Sequence, residues 1–271
     1  MIFNHPTRRA ATRLVLAATA AFIAFAPAAH ADQLDDIKKA GKIRVAVAMG
    51  VPLFAFVDAN VKPTGSDVET AKLIAKDLGV TLDLVEITNA ARVPTIQTRK
   101  ADILVANLGI TPERKKAVDF SVPYATLNII VAAPEATKIG DYKDLVGKRI
   151  GVTRATVNDQ MVSQQAKGAE IVRFEDDATL ITAVVSGQVD IVSTQTAVLA
   201  AMNEKRGGTD PLKTKFVQQE LNLGIALPQG ETRLKEWLDS WIKTNMANGQ
   251  LNTLFKKFHT RDLPADLTQR G

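Results

Sequence analysis

A short strand pattern occurs twice in this chain and limits its fold more than any other feature. Residues 41–46 and 147–152 share a glycine followed by a basic and β-branched run, Gly-Lys-Ile-Arg-Val-Ala and Gly-Lys-Arg-Ile-Gly-Val. A second pair, residues 101–105 and 189–193, shares an aspartate followed by apolar residues, and each follows a helix-periodic segment. Strands that alternate with helices form mainly parallel sheets covered on both faces. The repetition predicts two α/β lobes.

Helices and two further strands complete this pattern. Apolar spacing near 3.6 predicts a helix from about Ser66 to Leu78 and two amphipathic helices within residues 231–258. The apolar runs 128–132 and 223–227 flank the second copy. If the chain crosses between lobes there, they are hinge strands about which the lobes close on a small molecule. The predicted fold is α/β, with two mostly parallel sheets joined by two hinge strands.

The predicted domain boundaries follow from these crossings and from the N-terminus. Residues 1–31 have the pattern of a secretory signal peptide: three arginines without an acid, an apolar run over 14–26, and Ala-His-Ala at the end. That run is too short for a membrane anchor. We expect cleavage after Ala31 and a periplasmic location. Lobe 1 then comprises residues 32–127 plus 223–271, and lobe 2 comprises residues 128–222.

Composition excludes several classes of site. The chain has no cysteine, and its only histidine beyond the signal is His259. Zinc sites built on several imidazoles, His-centred triads and haem are therefore not expected. Phosphate-binding glycine motifs are absent, basic residues are dispersed, and aromatics make up only 5%. We expect no cofactor, no metal, no nucleic-acid partner and no catalytic residue.

Residues 106–114 carry the most informative local chemistry. They follow a predicted buried strand, where open α/β sheets bind their ligands. Thr111 and Pro112 predict a helix start, and a helix N-terminus favours an anion. Arg114 in that first turn offers a planar guanidinium that can hold a carboxylate through two hydrogen bonds. The segment predicts a carboxylate site; the alternative is an exposed arginine on a solvated helix.

Together with residues 118–124 (Val-Asp-Phe-Ser-Val-Pro-Tyr), this segment resembles the extracellular solute-binding proteins of family 3, the polar amino-acid receptors of ABC importers. The resemblance extends over residues 34–260. Further matches lie at residues 41–45, Phe54, 65–69, 100–103, 144–152 and 187–190. It implies a periplasmic-binding-protein type II fold, working as a monomer whose closed, liganded form meets the importer's membrane permease subunits.

The resemblance also implies which positions contact the ligand. In such proteins the arginine at position 114 holds the α-carboxylate, helped by N–H groups near Thr111 and by the helix N-terminus at Thr156. Residues matching Asn107 and Gly109 contact the amine or the backbone of the ligand.

Three more side chains are candidates for the cleft. By the same resemblance, Phe54 contributes an apolar or aromatic wall. Arg92 and Arg154 are additional candidates that could bind a distal acidic group, the alternative for each being a surface position.

Four positions depart from the family pattern. Where the second-lobe strand commonly ends in an aspartate that pairs with the α-ammonium, this chain has Gln195, and a neutral amide does not neutralise a buried ammonium. Gly109 lacks a common hydroxyl, Ala155 replaces a common glycine, and Val51 replaces a common aromatic residue. An organic acid or a modified amino acid is therefore a reasonable ligand beside a standard amino acid.

The expected function is the periplasmic substrate-binding component of an ABC importer, a non-enzyme that binds a small carboxylate-bearing solute, first of all an amino acid. Two alternatives are an organic-acid-binding protein and an enzyme resembling cyclohexadienyl (arogenate or prephenate) dehydratase. The dehydratase reaction needs an acid in the cleft to protonate a leaving hydroxyl. The candidates for this acid are Glu86, Glu175 and Asp176, and they are candidates only by exclusion.

Overall fold

Helices and strands alternate along most of the chain in the computed structural model, which describes Met1 and residues 33–207 and 210–270. The helices are α1 (Gln33–Ala40), α2 (Ser66–Leu78), α3 (Arg92–Gln97), α4 (Val157–Gln165), α5 (Asp177–Val185), α6 (Thr196–Lys205), α7 (Thr232–Ala247) and α8 (Gln250–His259). The strands are β1 (Lys42–Ala48), β2 (Phe56–Val57), β3 (Pro63–Thr64), β4 (Thr81–Ile87), β5 (Ile103–Leu104), β6 (Asp119–Pro134), β7 (Arg149–Thr153), β8 (Glu170–Phe174), β9 (Val192–Gln195) and β10 (Leu212–Leu227). Apart from Met1, the predicted signal peptide lies outside the described residues.

The main sheet contains two parallel sets of strands. Strand β1 pairs in parallel with β4 and β5, and β7 pairs in parallel with β8 and β9. The order across the sheet is β4-β1-β5-β10-β6-β9-β7-β8. The predicted α/β class and its two parallel sets are confirmed. The two parallel sets belong to one sheet, because β10 pairs with β5 of the first set, β6 pairs with β9 of the second, and β10 and β6 pair with each other.

These two central strands are the predicted hinge. Strands β6 and β10 have 16 residues each and pair antiparallel over most of their length. Ala226 of β10 pairs with Leu104 in one parallel set, whereas Ile129 of β6 pairs with Gln195 in the other. The runs predicted to be hinge strands, 128–132 and 223–227, lie within them. The lobe boundaries remain a prediction, which this topology supports.

Helices cover both faces of the sheet and bury three main apolar clusters. The largest lies around β1, β5 and the ends of β6 and β10, and helices α2, α7 and α8 pack onto it. Two smaller clusters lie on the two sides of β7 and β9. Helix α2 spans the predicted residues and ends at Gly79, whose φ of 70° continues the chain in the left-handed conformation. None of the helices within residues 33–207 and 210–270 is long and apolar enough to cross a membrane.

Candidate ligand-binding site

A small pocket lies where the parallel strands of both sets end. Residues that follow β4, β5, β7, β8 and β9, or end them, converge on it, as expected of open α/β sheets. The lining comprises Asn89, Arg92, Asn107, Gly109, Arg114, Leu127, Thr153, Thr156, Val157, Asn158, Asp177, Ser193, Thr194, Gln195 and Leu221.

Arg114 reaches this pocket from a tight turn. Its Nη1 donates to the carbonyl of Gly109 at 3.0 Å, and its Nη2 donates to the carbonyl of Ala155 at 3.3 Å. Burial lowers its pKa to about 10, while nearby Glu113 opposes the shift. The guanidinium therefore remains charged at neutral pH and can hold a carboxylate.

The prediction of a helix that starts at Thr111 is wrong. The segment forms only a three-residue 3-10 helix, Arg114–Lys116, because the backbone N–H groups of Ala117 and Val118 both return to the Arg114 carbonyl and β6 follows at once. Thr111 Oγ1 still accepts from the Arg114 N–H at 3.2 Å, as a capping residue would. So short a helix has little dipole, so Arg114 itself provides the positive charge of this segment. Thr111 lines an adjacent opening between the lobes rather than the pocket.

Arg92 provides a second buried cation, at the start of α3. Its Nε donates to the Asn89 carbonyl at 2.9 Å and its Nη1 to the Asn107 carbonyl at 3.1 Å. Burial and the repulsion of Arg114 lower its pKa to about 9, and the attraction of Asp177 acts in the opposite direction. Arg154 lies elsewhere: its Nε is 3.1 Å from Glu175, and both side chains are about half exposed.

Asp177 is a pocket carboxylate that sequence reasoning missed. It is the first residue of α5, is only 6% exposed, and accepts a hydrogen bond from Thr153 Oγ1 at 2.5 Å. Burial raises its pKa, whereas the hydrogen bond from Thr153, the charge of Arg92 and a hydrogen bond with the Asn89 side chain lower it.

The neighbouring carboxylates have other roles. Asp176, one of the acids considered from the sequence, caps α5 by accepting from the Thr179 N–H at 2.7 Å. Glu86 and Glu175 are not part of the pocket lining. The signal that could have found Asp177 is its place just after strand β8, at the sheet edge where ligands bind.

Three buried amides of the pocket lining have unpaired oxygens. Asn89 Oδ1, Asn107 Oδ1 and Gln195 Oε1 have no hydrogen-bond partner. Their residues are at most 8% exposed, and all three line the pocket. An unsatisfied buried acceptor costs about 1–3 kcal/mol, so this arrangement favours a ligand that donates hydrogen bonds.

Of the other predicted site residues, Thr156 and Gly109 line the pocket. Thr156 Oγ1 caps α4 by accepting from the Asp159 N–H at 3.2 Å and donates to the Thr153 carbonyl at 2.6 Å. A Cβ added at Gly109 would lie 2.2 Å from Leu221 Cδ2. The space of the hydroxyl common in the family is therefore filled by Leu221.

The structure places Phe54 in the core and outside the pocket lining, which corrects the expectation of an aromatic wall there. Its side chain is 1% exposed, and its ring centroid is 4.4 Å from that of His259. Leu127 and Leu221 on the hinge strands provide the apolar wall instead. Sequence reasoning did not single them out, because apolar residues in a strand are ordinarily core.

Direct contacts across the cleft hold the two lobes together. The carbonyl of Ala155 accepts from Arg92 Nη2 at 3.4 Å as well as from Arg114 Nη2. Nearby, Gln160 Nε2 donates to Glu113 Oε2 at 2.9 Å. Ala155 itself has a φ of 58°, a left-handed conformation that explains why glycine is common at this position. These contacts describe a closed arrangement.

Comparison with known families and proteins identifies clear relatives. A model for bacterial extracellular solute-binding proteins, family 3, matches residues 43–261. The ABC transporter glutamine-binding protein GlnH of Bacillus subtilis (strain 168) is 29% identical over 240 residues, which are 87% of each chain. The L-cystine-binding protein TcyJ of Escherichia coli (strain K12) is 28% identical over 269 residues, covering 97% of this chain and 99% of the relative.

Solved structures show the same architecture. The ancestral amino acid-binding protein AncCDT-1, described as a precursor of cyclohexadienyl dehydratase, superposes with a TM-score of 0.76 at 33% identity. The match covers 83% of this chain and 99% of that one.

Among residues 33–207 and 210–270 there is no group of three or more His, Cys, Asp or Glu residues placed to hold a metal ion.

Proposed function

The chain belongs to the bacterial extracellular solute-binding proteins, family 3, and on that premise we propose that it is the periplasmic substrate-binding component of an ABC importer. It binds a small carboxylate-bearing solute, first of all an amino acid, by closing two lobes. The observation that carries this proposal is the buried pocket in which Arg114 reaches across from one lobe to the Ala155 carbonyl of the other. Relatives named for glutamine and cystine binding support an amino-acid-sized ligand.

Arg114 and Arg92 are the groups proposed to bind the carboxylate. Each guanidinium has five N–H donors in a planar fork, and the backbone carbonyls named above use only some of them. A bound carboxylate would therefore contact Arg92 and Arg114, the same two side chains that already hydrogen-bond to Ala155 in the other lobe. The closed form is the one that we propose the importer's permease subunits recognise.

A binding screen tests this function. The full chain is expressed and purified, unfolded and refolded to remove retained solute, and then titrated by calorimetry with the twenty standard amino acids, L-cystine and a set of organic acids. We expect saturable binding of at least one carboxylate-bearing solute. Binding of none of them would contradict the proposal.

Substitution of Arg114 tests the assigned site. For the solute that binds best, Arg114→Ala is expected to weaken binding by about 2–5 kcal/mol, the usual loss when one partner of a buried charge pair is truncated. Arg154→Ala, which removes a guanidinium paired on the surface with Glu175, is the matched control and should leave the affinity unchanged. Equal affinity of the wild type and Arg114→Ala would remove the carboxylate assignment.

A dehydratase activity is the second candidate. It is favoured by the buried carboxyl group of Asp177, whose raised pKa suits a proton donor, and by the similarity to AncCDT-1. Incubation of the purified protein with arogenate or prephenate, followed by chromatography of the products, decides between the two. Formation of phenylalanine or phenylpyruvate above the Asp177→Asn background would favour the enzyme.

The periplasmic location is a proposal supported by the family and by the pattern of residues 1–31. Expression of the full chain in a Gram-negative host, osmotic release of the periplasm and N-terminal sequencing test it. We expect a released protein that begins at Asp32. A protein retained in the cytoplasm that still begins at Met1 would contradict it.

A further inference from the structure

Three amide side chains of the pocket lining have oxygens without a hydrogen-bond partner. Six buried side-chain atoms of the described residues have no partner, and the three that line the pocket are all amide oxygens, on Asn89, Asn107 and Gln195. The Asn89 side chain also interacts with the carboxyl group of Asp177.

Asp177 adds a carboxyl group to the same pocket lining. Thr153 Oγ1 donates to this carboxyl group, and no Lys or Arg nitrogen of the described residues lies within ion-pair distance of it. The charge of Arg92 acts on Asp177 only from further away. A buried carboxylate with hydrogen bonds but no ion-pair partner provides a place for a ligand cation.

The positive and negative groups of the pocket come from opposite lobes. Arg92 and Arg114 lie on the side of β5, whereas Asp177 follows β8 and Gln195 ends β9. A solute with a carboxylate at one end and an ammonium at the other matches both groups. A plain organic acid matches only the arginines.

We propose that Asp177, together with the amide oxygens of Asn89, Asn107 and Gln195, binds the ammonium group of the solute. This carboxylate replaces the family's strand-end aspartate, whose position holds Gln195. The ligand class is then an amino-carboxylate zwitterion rather than an organic acid. The inference rests on the proposed function and names the specificity-determining residue of the same site.

The test compares each amino acid with its own amine-free analogue. The amino acid that binds best in the screen and the carboxylic acid in which hydrogen replaces its ammonium are titrated into the wild type, Asp177→Asn and Asp176→Asn. Asp177→Asn keeps the size of the side chain but removes its charge. Asp176→Asn is the matched control, because asparagine caps a helix as well as aspartate and residue 176 is outside the pocket lining.

The expected result is selective. Asp177→Asn should weaken binding of the amino acid at least 30-fold and change binding of the amine-free acid less than threefold. Asp176→Asn should change neither by more than threefold. Gln195→Met, which removes one acceptor without touching Asp177, should weaken only the amino acid, by about tenfold, and it decides the question if Asp177→Asn does not fold.

The outcomes separate this inference from the proposed function. If the wild type binds amino acids and the Asp177→Asn and Gln195→Met variants keep that affinity, Asp177 does not bind the ammonium. The proposed function as a solute-binding protein is then unaffected. If the wild type prefers amine-free acids, the inference is overturned and the function remains that of a solute receptor. If the wild type binds no carboxylate-bearing solute, both fail.

Discussion

At the scale of single residues, two differences from the family pattern in the pocket are each accompanied by a second residue that takes over the missing size or charge. Gly109 lacks a side chain and Leu221 fills the space; Gln195 lacks a charge and Asp177 carries one nearby. Each of these two departures from the family pattern is thus matched by a residue on a different element. Sequence position alone does not reveal such pairs, because the partners are 112 and 18 residues apart.

The first of these pairs gives a prediction about stability. Gly109→Ser places a Cβ within 2.2 Å of Leu221 Cδ2 and should destabilise the protein by about 1–3 kcal/mol, as overpacking does. Leu221→Ala in the same chain frees that space, so the double variant should be less destabilised than the sum of the two single variants. Urea denaturation of the four proteins measures the difference. Simple additivity would contradict the contact.

His259 gives a prediction about pH. Its ring lies between Phe54 and Phe255, its Nε2 is 3.0 Å from Ser66 Oγ, and Arg261 lies nearby. Burial, followed by the charge of Arg261, lowers its pKa from 6.5 to about 4. The unfolded chain therefore binds the proton more readily, and the stability due to neutral His259 is fully present above pH 6.5 and lost as the pH falls toward 4.

His259→Phe tests this prediction. A shift of this size corresponds to about 3 kcal/mol at most, so the wild type should lose up to that much more unfolding free energy than the variant between pH 7 and pH 4. Denaturant titrations at both values measure the loss. Parallel losses in the two proteins would show that His259 titrates normally in the folded state.

At the scale of elements, sequence patterns predict the long, regular segments and miss the short ones. Helix α2 and strand β1 lie where they are predicted, because apolar periodicity marks them and Gly79 ends the helix. The predicted helix at Thr111 has the same local start signals, but the chain must enter β6 within a few residues, so tertiary structure limits it to one turn. The pocket strands β5 and β9 are likewise shorter than their apolar runs.

Capping of α4 gives a prediction at this scale. Thr156→Ala removes the oxygen that accepts from the Asp159 N–H and should cost about 1 kcal/mol of unfolding free energy, whereas Thr156→Ser keeps it and should stay close to the wild type. Because Thr156 also lines the pocket, the alanine variant should bind the ligand more weakly. Chemical denaturation and calorimetry measure the two effects. An equal loss in the serine variant would point to the methyl group instead of the cap.

At the scale of the whole molecule, the pocket is lined by residues of both lobes. Neither lobe supplies both the arginines and Asp177, so repeated strand patterns predict the architecture, whereas the assembled site depends on closure. The family motif therefore pointed to Arg114, which lies in the pocket lining, but gave no sign of Asp177. The contacts at Ala155 and between Gln160 and Glu113 span the cleft.

Loss of one such contact should change the rate at which the ligand leaves. Glu113→Ala removes the acceptor of the Gln160 amide near the solvent, and an exposed polar contact of this kind contributes up to about 1 kcal/mol. We expect dissociation up to about fivefold faster with an almost unchanged association rate, measured by stopped-flow fluorescence. Glu175→Ala, on the surface beside Arg154, is the control. A slower association in Glu113→Ala would mean that the contact forms before the ligand enters.

The pairing of β6 with β10 also determines how the molecule can move. Two strands bonded to each other over most of their length bend together as one ribbon, and a ribbon flexes easily out of its plane but resists shear within it. We expect opening and closing to follow a single bending angle of this ribbon, at the register shifts near residues 214–219 and 223–226, because irregular pairing bends a strand locally. A membrane partner that senses this one angle would distinguish empty from loaded protein without touching the ligand.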